Sequence, residues 1–392
     1  MKKLLVLNDF SIYPIEHGGK VRIFNIYCGL SKYFDITYLC FTKNSSESVR
    51  VINSHFREVS IPFNFFQRYF LNLFKKKRHI DGNDIITLVI GNINKRMRQV
   101  INEKVKNTDV LVLIHPYMNP LICNRNLNIP IIHESLNVEY ELKKSFYPDN
   151  ITSKILLNIL RKHEKMVLTR SKIIFAVSQE DAEALSKIYN IDMKKIYLAP
   201  NGVDIDQYPD IYPPISRKKI TYSPLIIFLG SGHPPNVTAA LQILNQIAPK
   251  TPDCSFLICG SVCWAIANEL RGPNVGLAYL VSDDEKVELF LSADVAINPM
   301  MTGSGTNLKM LDYLAAGLPV ITTPVGARGL HLINRENVII SDINQFPVEI
   351  NNVLNNPDLS EKLSKNGINF VKENYSWNLI AEKMSTYIQN IV

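Results

Sequence analysis

Asn298–Leu330 reads NPMMTGSGTNLKMLDYLAAGLPVITTPVGARGL. An apolar run, Val295–Asn298, ends at Pro299, and a loop containing Gly303-Ser304-Gly305-Thr306 leads into a helical stretch, Asn307–Ala316. Gly317 closes that helix, and Pro319–Thr322 is the next apolar run of strand length. A glycine loop entering a helix exposes unpaired backbone N–H groups at the positive end of the helix dipole, an arrangement suited to phosphate. Lys309 lies in the first turn, where a cation opposes the dipole, and an anionic ligand there would account for it. Asp312 sits one turn down on a similar face, where a carboxylate can accept hydrogen bonds from ribose hydroxyls. On these residues alone, a tight strand-to-helix turn with a surface lysine explains the pattern about as well.

The same strand–helix rhythm extends outward. Leu4–Leu7, Ile36–Cys40, Val110–Ile114, Ile129–His133 and Ile173–Val177 are short apolar runs followed by helical-looking segments. Leu225–Leu229, Ser255–Cys259, Asn274–Leu280, Val295–Asn298 and Pro319–Thr322 continue the series. Near-continuous apolar strands alternating with helices predict an α/β chain with parallel sheets covered on both faces. Over this length they make two doubly wound domains, with ligands at the carboxyl ends of the strands. Pro200-Asn201-Gly202 is a turn signal, and Tyr208–Lys219 carries three prolines without periodicity. The expected division is a first domain over 1–200, a linker over 201–222, a second domain over 223–375 and a terminal helix over 376–392.

Composition agrees with a folded chain: 392 residues, 46% apolar, 20% charged, mean hydropathy +0.00. The net charge of +7 is unevenly spread, with 30 Lys/Arg against 18 Asp/Glu in residues 1–200 and 13 against 18 thereafter. That places an anionic partner with the first half. Nothing resembles a zinc finger, zipper or RNA-recognition signature, so no nucleic acid is expected. Six scattered cysteines without C-x-x-C spacing read as buried apolar residues of a reducing compartment. The N-terminal MKKLLVLNDF is too short in its apolar run for a signal peptide, and no stretch reaches the roughly 18 apolar residues of a membrane span. A cytoplasmic protein is expected.

The segment from Gly303 to Ile321 resembles the donor-site signature of nucleotide-sugar glycosyltransferases with the GT-B fold, particularly glycosyltransferase family 4. The resemblance implies two Rossmann-like domains facing a cleft. Relatives carry two glutamates eight positions apart; the second falls on Asp312 and the first on Ser304. Ser304 and Thr306 then offer hydroxyls to phosphate or sugar, beside Gly303, Gly305 and Asn307. Ile227–Asn236 (IFLGSGHPPN) resembles the first strand and loop of the donor domain, which places Gly232 at the donor. Relatives often hold the diphosphate there with an Arg and a Lys; His233-Pro-Pro-Asn236 supplies no such cation, which leaves Lys309 to balance the phosphates. Val281-Ser-Asp-Asp284 resembles the turn whose backbone receives the nucleobase.

In the first half, Ser171–Asp204 resembles the family's run from the last strand to the interdomain turn. Pro14–Arg22 (PIEHGGKVR) resembles its cleft loop, placing Gly18, Gly19 and Arg22 near phosphate or acceptor. Ile132–Glu141 (IHESLNVEYE) resembles a stretch in which a histidine commonly faces the transferred sugar, but Leu136 stands there. His115, at the end of its strand, is then either a cleft residue or a structural histidine, while His133 reads as structural. Glu134, Asn137 and Glu139 are candidate contacts to acceptor or sugar. Phe63–His79 (FNFFQRYFLNLFKKKRH) joins aromatic anchors to Lys75, Lys76, Lys77 and Arg78; it reads either as contact with an anionic bilayer or as a core-facing helix with a solvated charge run.

The resemblance implies a retaining, metal-independent glycosyltransferase with no cofactor. The donor would be a UDP- or GDP-sugar bound by the second domain, with Lys309, His115 and Glu134 as catalytic candidates. The acceptor would be a glycan or lipid-linked glycan in surface polysaccharide assembly, bound by the first domain at the inner face of the membrane. A noncatalytic relative that binds nucleotide sugar or supports a partner transferase is the alternative. A sugar-nucleotide epimerase fits the GSGT loop less well.

Overall fold

The computed structural model describes residues 1–15, 18–75, 82–208, 223–302 and 306–392. They form two compact units, one of Met1–Pro200 with Ile380–Val392 and one of Asn201–Leu379. The first begins with β1 (Lys2–Asn8), α1 (Gly18–Leu30), β2 (Phe34–Thr42), β3 (Ser48–Asn53) and β4 (Phe56–Pro62). It continues through α2 (Phe65–Lys75), α3 (Gly82–Ile90), α4 (Lys95–Val105), β5 (Val110–Ile114), β6 (Ile131–Ser135), α5 (Glu139–Phe146), α6 (Ile151–Arg170), β7 (Ile173–Ala176), α7 (Gln179–Tyr189) and β8 (Ile196–Leu198).

Its sheet runs β3-β4-β2-β1-β5-β6-β7-β8, parallel throughout except for the antiparallel β3–β4 pair. The central strands are the most apolar: Leu4–Leu7 of β1 and all of β5 are buried, as strands covered by helices on both faces must be. Chain order reverses between β1 and β5, paired in the register Leu4↔Val110, so the carboxyl ends of these two strands border a crevice. Local signals set the helix ends. Asn150 and Ser178 cap α6 and α7 by accepting from the Ser153 and Asp181 N–H groups, and α7 stops at Asn190 in the left-handed region (φ 55°).

The second unit contains β9 (Leu225–Leu229), α8 (Pro234–Gln242), β10 (Ser255–Cys259), α9 (Val262–Ala265), β11 (Val275–Ala278), α10 (Asp283–Ser292), β12 (Val295–Asn298), α11 (Leu308–Ala315), β13 (Val320–Thr322) and β14 (Ile339–Ile340). Helices α12 (Phe346–Asn355) and α13 (Pro357–Asn374) follow, and α14 (Trp377–Gln389) carries the chain back into the first unit from Ile380. The sheet is wholly parallel, β11-β10-β9-β12-β13-β14, and reverses between β9 and β12. Both units are thus doubly wound α/β layers, the class that the strand–helix rhythm predicts.

Several details depart from the sequence reading. β3, β4, β8 and β14 are additional strands, and the run expected over 129–133 starts at Ile131, after Pro130. Residues 201–208 pack with the second unit: Val203 pairs with Ser376, and Tyr208 is buried in that unit's core. Residues 209–222 of the expected linker lie outside the described residues. All six cysteines are free thiols, four of them buried.

Candidate functional site

The carboxyl ends of β9 and β12 flank the switch point of the second unit, and three neighbouring crossovers meet there. After β9 the chain turns through Gly230, whose carbonyl would lie 2.5 Å from a Cβ at Gly260, the residue after β10. Gly260 has φ +95°, so any side chain there would be both strained and in collision. The Gly232 N–H donates to Ser261 Oγ at 3.0 Å, tying these two turns together. Helix α8 opens with Pro234 and Pro235, which have no N–H to offer an anion.

Helix α11 is differently built. Asn307 stands at its N-cap but directs its amide to the carbonyls of Gly326 (3.1 Å) and Val325 (3.5 Å), and its side chain makes no cap hydrogen bond. The first turn therefore keeps backbone donors at the positive end of the dipole. The loop after β13 crowds beneath it: a Cβ at Gly326 would meet Thr322 Oγ1 at 2.2 Å, and one at Gly329 (φ +77°) would meet Thr306 Oγ1 at 2.6 Å. Tyr313, fully buried, accepts from the Leu229 N–H at 2.7 Å and so pins α11 to the end of β9. Gly317 (φ +66°) ends the helix, and Ser364 of α13 donates to its carbonyl.

Lys309 leaves the first turn of α11 and reaches back across the switch point. Its Nζ donates to Asn236 Oδ1 of α8 at 2.7 Å and lies 4.3 Å from the centroid of the Phe228 ring. Burial lowers its ammonium from 10.5 to about 7. Asp312, one turn on, faces other partners: Tyr208 Oη donates to its Oδ1 at 3.1 Å, and Lys286 Nζ is 3.5 Å away. Burial raises its carboxyl, against the pull of Lys286 and Tyr208. Thr306 and Asn307 lie at the helix entrance, whereas Gly303, Ser304 and Gly305 lie outside the described residues. Val281 precedes α10, whose own N-terminus is closed by a capping box between Ser282 and Glu285.

In the first unit the polar residues at the carboxyl ends of the strands are mostly enclosed. Arg22 and Glu134 depart from the cleft roles expected of them. Arg22 is 1% exposed and Glu134 0%; Arg22 Nε contacts Glu134 Oε1 at 3.1 Å, Nη1 donates to the Pro200 carbonyl, and Tyr27 Oη donates to Glu134 Oε2 at 2.7 Å. With both oxygens occupied, Glu134 holds α1 against β6. Gly18 and Gly19 begin α1, Gly18 exposed and Gly19 half-buried.

His115 follows β5 with φ +60°, a strained conformation for a non-glycine residue. Its Nδ1 lies 2.9 Å from Glu139 Oε1, and Glu139 Oε2 accepts from Tyr117 Oη at 2.5 Å. Burial alone would lower the imidazole, but Glu139 and Asp9 hold it above its ordinary value. Glu139, despite its burial, is held at about 2 by His115, Tyr117 and Lys143. Asp9, 4% exposed at the end of β1, is raised to about 7 by burial. Asn137 Nδ2 donates to Glu139 Oε1 at 3.2 Å. His133 is buried within β6 with its Nδ1 3.1 Å from the Leu113 carbonyl, a structural position. Sequence reasoning found His115 and Glu139 but not Asp9 or Tyr117, which carry no motif of their own.

A cavity of about 320 Å³ opens at the amino ends of β1 and β2, lined by Lys3, Asp35, Arg57 and Lys104. It lies at the other edge of the sheet from His115, and an Asp35–Arg57 ion pair of 2.6 Å crosses it. On α2, Phe65, Phe66, Tyr69 and Phe70 are all exposed while Gln67 and Leu71 face inward. Lys75 is the last residue of that helix; Lys76, Lys77 and Arg78 lie outside the described residues. No helix among the described residues is long and apolar enough to cross a membrane.

Two family models match the chain: glycosyl transferases group 1 over residues 223–356 and glycosyltransferase family 4 over residues 92–207. An uncharacterized 44.6 kDa protein in the cps region of Klebsiella pneumoniae is 21% identical over 399 residues, covering 96% of this chain and 97% of that one. The O-antigen chain mannosyltransferase of Salmonella typhimurium is 28% identical over 222 residues, 55% of this chain and 59% of the relative. Sucrose-phosphate synthase from Thermosynechococcus elongatus has the same architecture, with a TM-score of 0.66 and 14% identity over 100% of this chain and 99% of that one. Anabaena HepE, solved in complex with UDP and glucose, gives a TM-score of 0.66 at 10% identity over 99% and 100%.

Proposed function

The chain belongs to the GT-B glycosyltransferases of group 1 and family 4, and on that footing we propose that it moves a sugar, with retention, from a UDP- or GDP-sugar to a hydroxyl of a glycan or lipid-linked glycan. The observation that carries this is the N-terminus of α11: an uncapped first turn with the Lys309 ammonium held over the β9–β12 switch point by Asn236. Charge on the departing nucleoside diphosphate is met there by fixed backbone dipoles and one cation, without a metal. Because the site already contains these donors, they need little reorganisation as the glycosidic bond breaks. Asp312, with Oδ1 held by Tyr208, would receive the ribose hydroxyls. In the first unit His115, oriented by Glu139, is the group proposed to meet the acceptor or the sugar. The enclosed Glu134 is left a supporting role.

Relatives named as mannosyltransferases of O-antigen and phosphatidyl-myo-inositol support an acceptor in surface glycan or glycolipid synthesis. The exposed aromatic face of α2, on the half of the chain with excess positive charge, favours contact with an anionic membrane. The test of the transfer reaction follows nucleoside diphosphate release from UDP- and GDP-sugars with membranes supplied as acceptor source. Acceptor-dependent release that falls at least about a hundredfold in Lys309→Met is the expected result. Equal release by the variant would remove Lys309 from the reaction, and donor binding without any release would favour a noncatalytic role.

A further inference from the structure

Carboxylates approach His115 from two different elements. On α5, Glu139 Oε1 lies 2.9 Å from its Nδ1. The second is Asp9. Leu7 pairs with Leu113 in the parallel β1–β5 register, so two residues on, past the strand ends, Asp9 comes level with His115. The neighbouring Phe10 agrees with that approach, its ring centroid 6.2 Å from that of His115. Asp9 is 4% exposed, and its Oδ1 is buried without a hydrogen-bond partner. A buried carboxylate left this bare is costly unless a positive charge stands beside it.

The other polar groups around the pair are already satisfied or uncharged. Lys143 of α5 is paired with Asp84 of α3. Glu164 of α6, behind Glu139, accepts from the Glu139 and Tyr140 N–H groups and from Tyr189 Oη. Burial and the nearby His115 keep His133 of β6 neutral, lowered to about 4. Burial likewise keeps Tyr117, and Tyr38 and Cys40 of β2, uncharged. That leaves Glu139, held ionised, and Asp9, which burial raises to about 7 against the pull of His115, to face one imidazole.

We propose that Asp9 is a positioning residue for His115: with Glu139 it brackets the ring and keeps it an imidazolium, which serves the transfer as a hydrogen-bond donor from Nε2 to a substrate oxygen and not as a proton-accepting base. An imidazolium donates at both nitrogens and accepts at neither, and its hydrogen bonds are strengthened by charge. Asp9 ionises as pH rises through about 7, and its new charge holds the proton on His115 harder, so the ring stays charged across neutrality. The consequence for transfer rests on the reading of His115 above; the pairing of charges does not.

The test is NMR titration of the full chain with 13Cε1-labelled histidine, using His115→Gln to assign the resonance among the eight histidines. In the wild-type chain His115 should titrate above its ordinary 6.5, with a smaller inflection near 7 as Asp9 ionises. Asp9→Asn should erase the inflection and lower the midpoint by about one pH unit or more, and Asp9→Glu should restore both. The alkaline limb of nucleoside diphosphate release should shift with the midpoint. A wild-type ring that titrates in one step at or below 6.5 overturns the proposal without any variant, and so does a midpoint that Asp9→Asn leaves in place. If the midpoint shifts while His115→Gln transfers as fast as wild type, the pairing of Asp9 with His115 stands and the reading that sends His115 to the substrate falls.

Discussion

Lys309 meets a donor with a pKa of about 7, and a diphosphate beside it would restore the charge that burial disfavours. Binding then takes up a proton above neutrality, and the sign follows directly. The charged ammonium binds the anion and the neutral amine does not, so affinity falls as pH rises through the free-protein value. If the bound value exceeds 10, raising the pH from 6 to 9 should weaken donor binding roughly ninetyfold, or about 2.7 kcal/mol. A sugar nucleotide is the right probe, because each of its phosphates keeps a single charge over this range and adds no titration of its own. Calorimetry at pH 8 in two buffers of different ionisation enthalpy should report uptake of close to one proton per donor. Lys309→Met should bind weakly at every pH, with the slope gone. Affinity that is flat or rises from pH 6 to 9, or a slope that survives in Lys309→Met, would refute the assignment of the charge to this lysine.

Two further outcomes bear on the first unit. Glu134→Gln leaves the Arg22 guanidinium inside the protein without its carboxylate partner, and breaking such a buried pair costs about 3–5 kcal/mol. Chemical denaturation should show that loss, while a stable variant with selectively lowered turnover would return Glu134 to the reaction. Replacing Phe65 and Phe66 with serine should reduce binding to vesicles containing anionic lipid without lowering the unfolding midpoint, because both side chains are exposed. Undiminished vesicle binding would remove α2 from the membrane contact.

The central strands were legible because each is a nearly unbroken apolar run, as Leu4–Leu7 and Val110–Ile114 show. β4 was not, since Arg57 and Glu58 interrupt it; Glu58 is nonetheless buried, accepting from Ser11 Oγ and the Ile12 N–H. β3 is an edge strand whose residues are mostly exposed, and β8 and β14 are only three and two residues long, too short for periodicity to mark. Helix α11 could be read locally, because its apolar spacing and the Gly317 that closes it lie within a dozen residues. The partners could not. Lys309 meets Asn236 across 73 positions, Asp312 meets Tyr208 across 104, and Arg22 meets Glu134 across 112. Nothing in a linear pattern distinguishes a guanidinium aimed at a ligand from one closed into an ion pair.

A crystal structure of the protein with UDP or GDP bound tests the donor site most directly. The diphosphate should lie against the backbone N–H groups of Leu308 and Lys309, with Lys309 Nζ within hydrogen-bond distance of a phosphate oxygen. A nucleotide bound elsewhere, or one that leaves the Lys309 ammonium on Asn236 and out of reach of phosphate, would contradict the proposed chemistry.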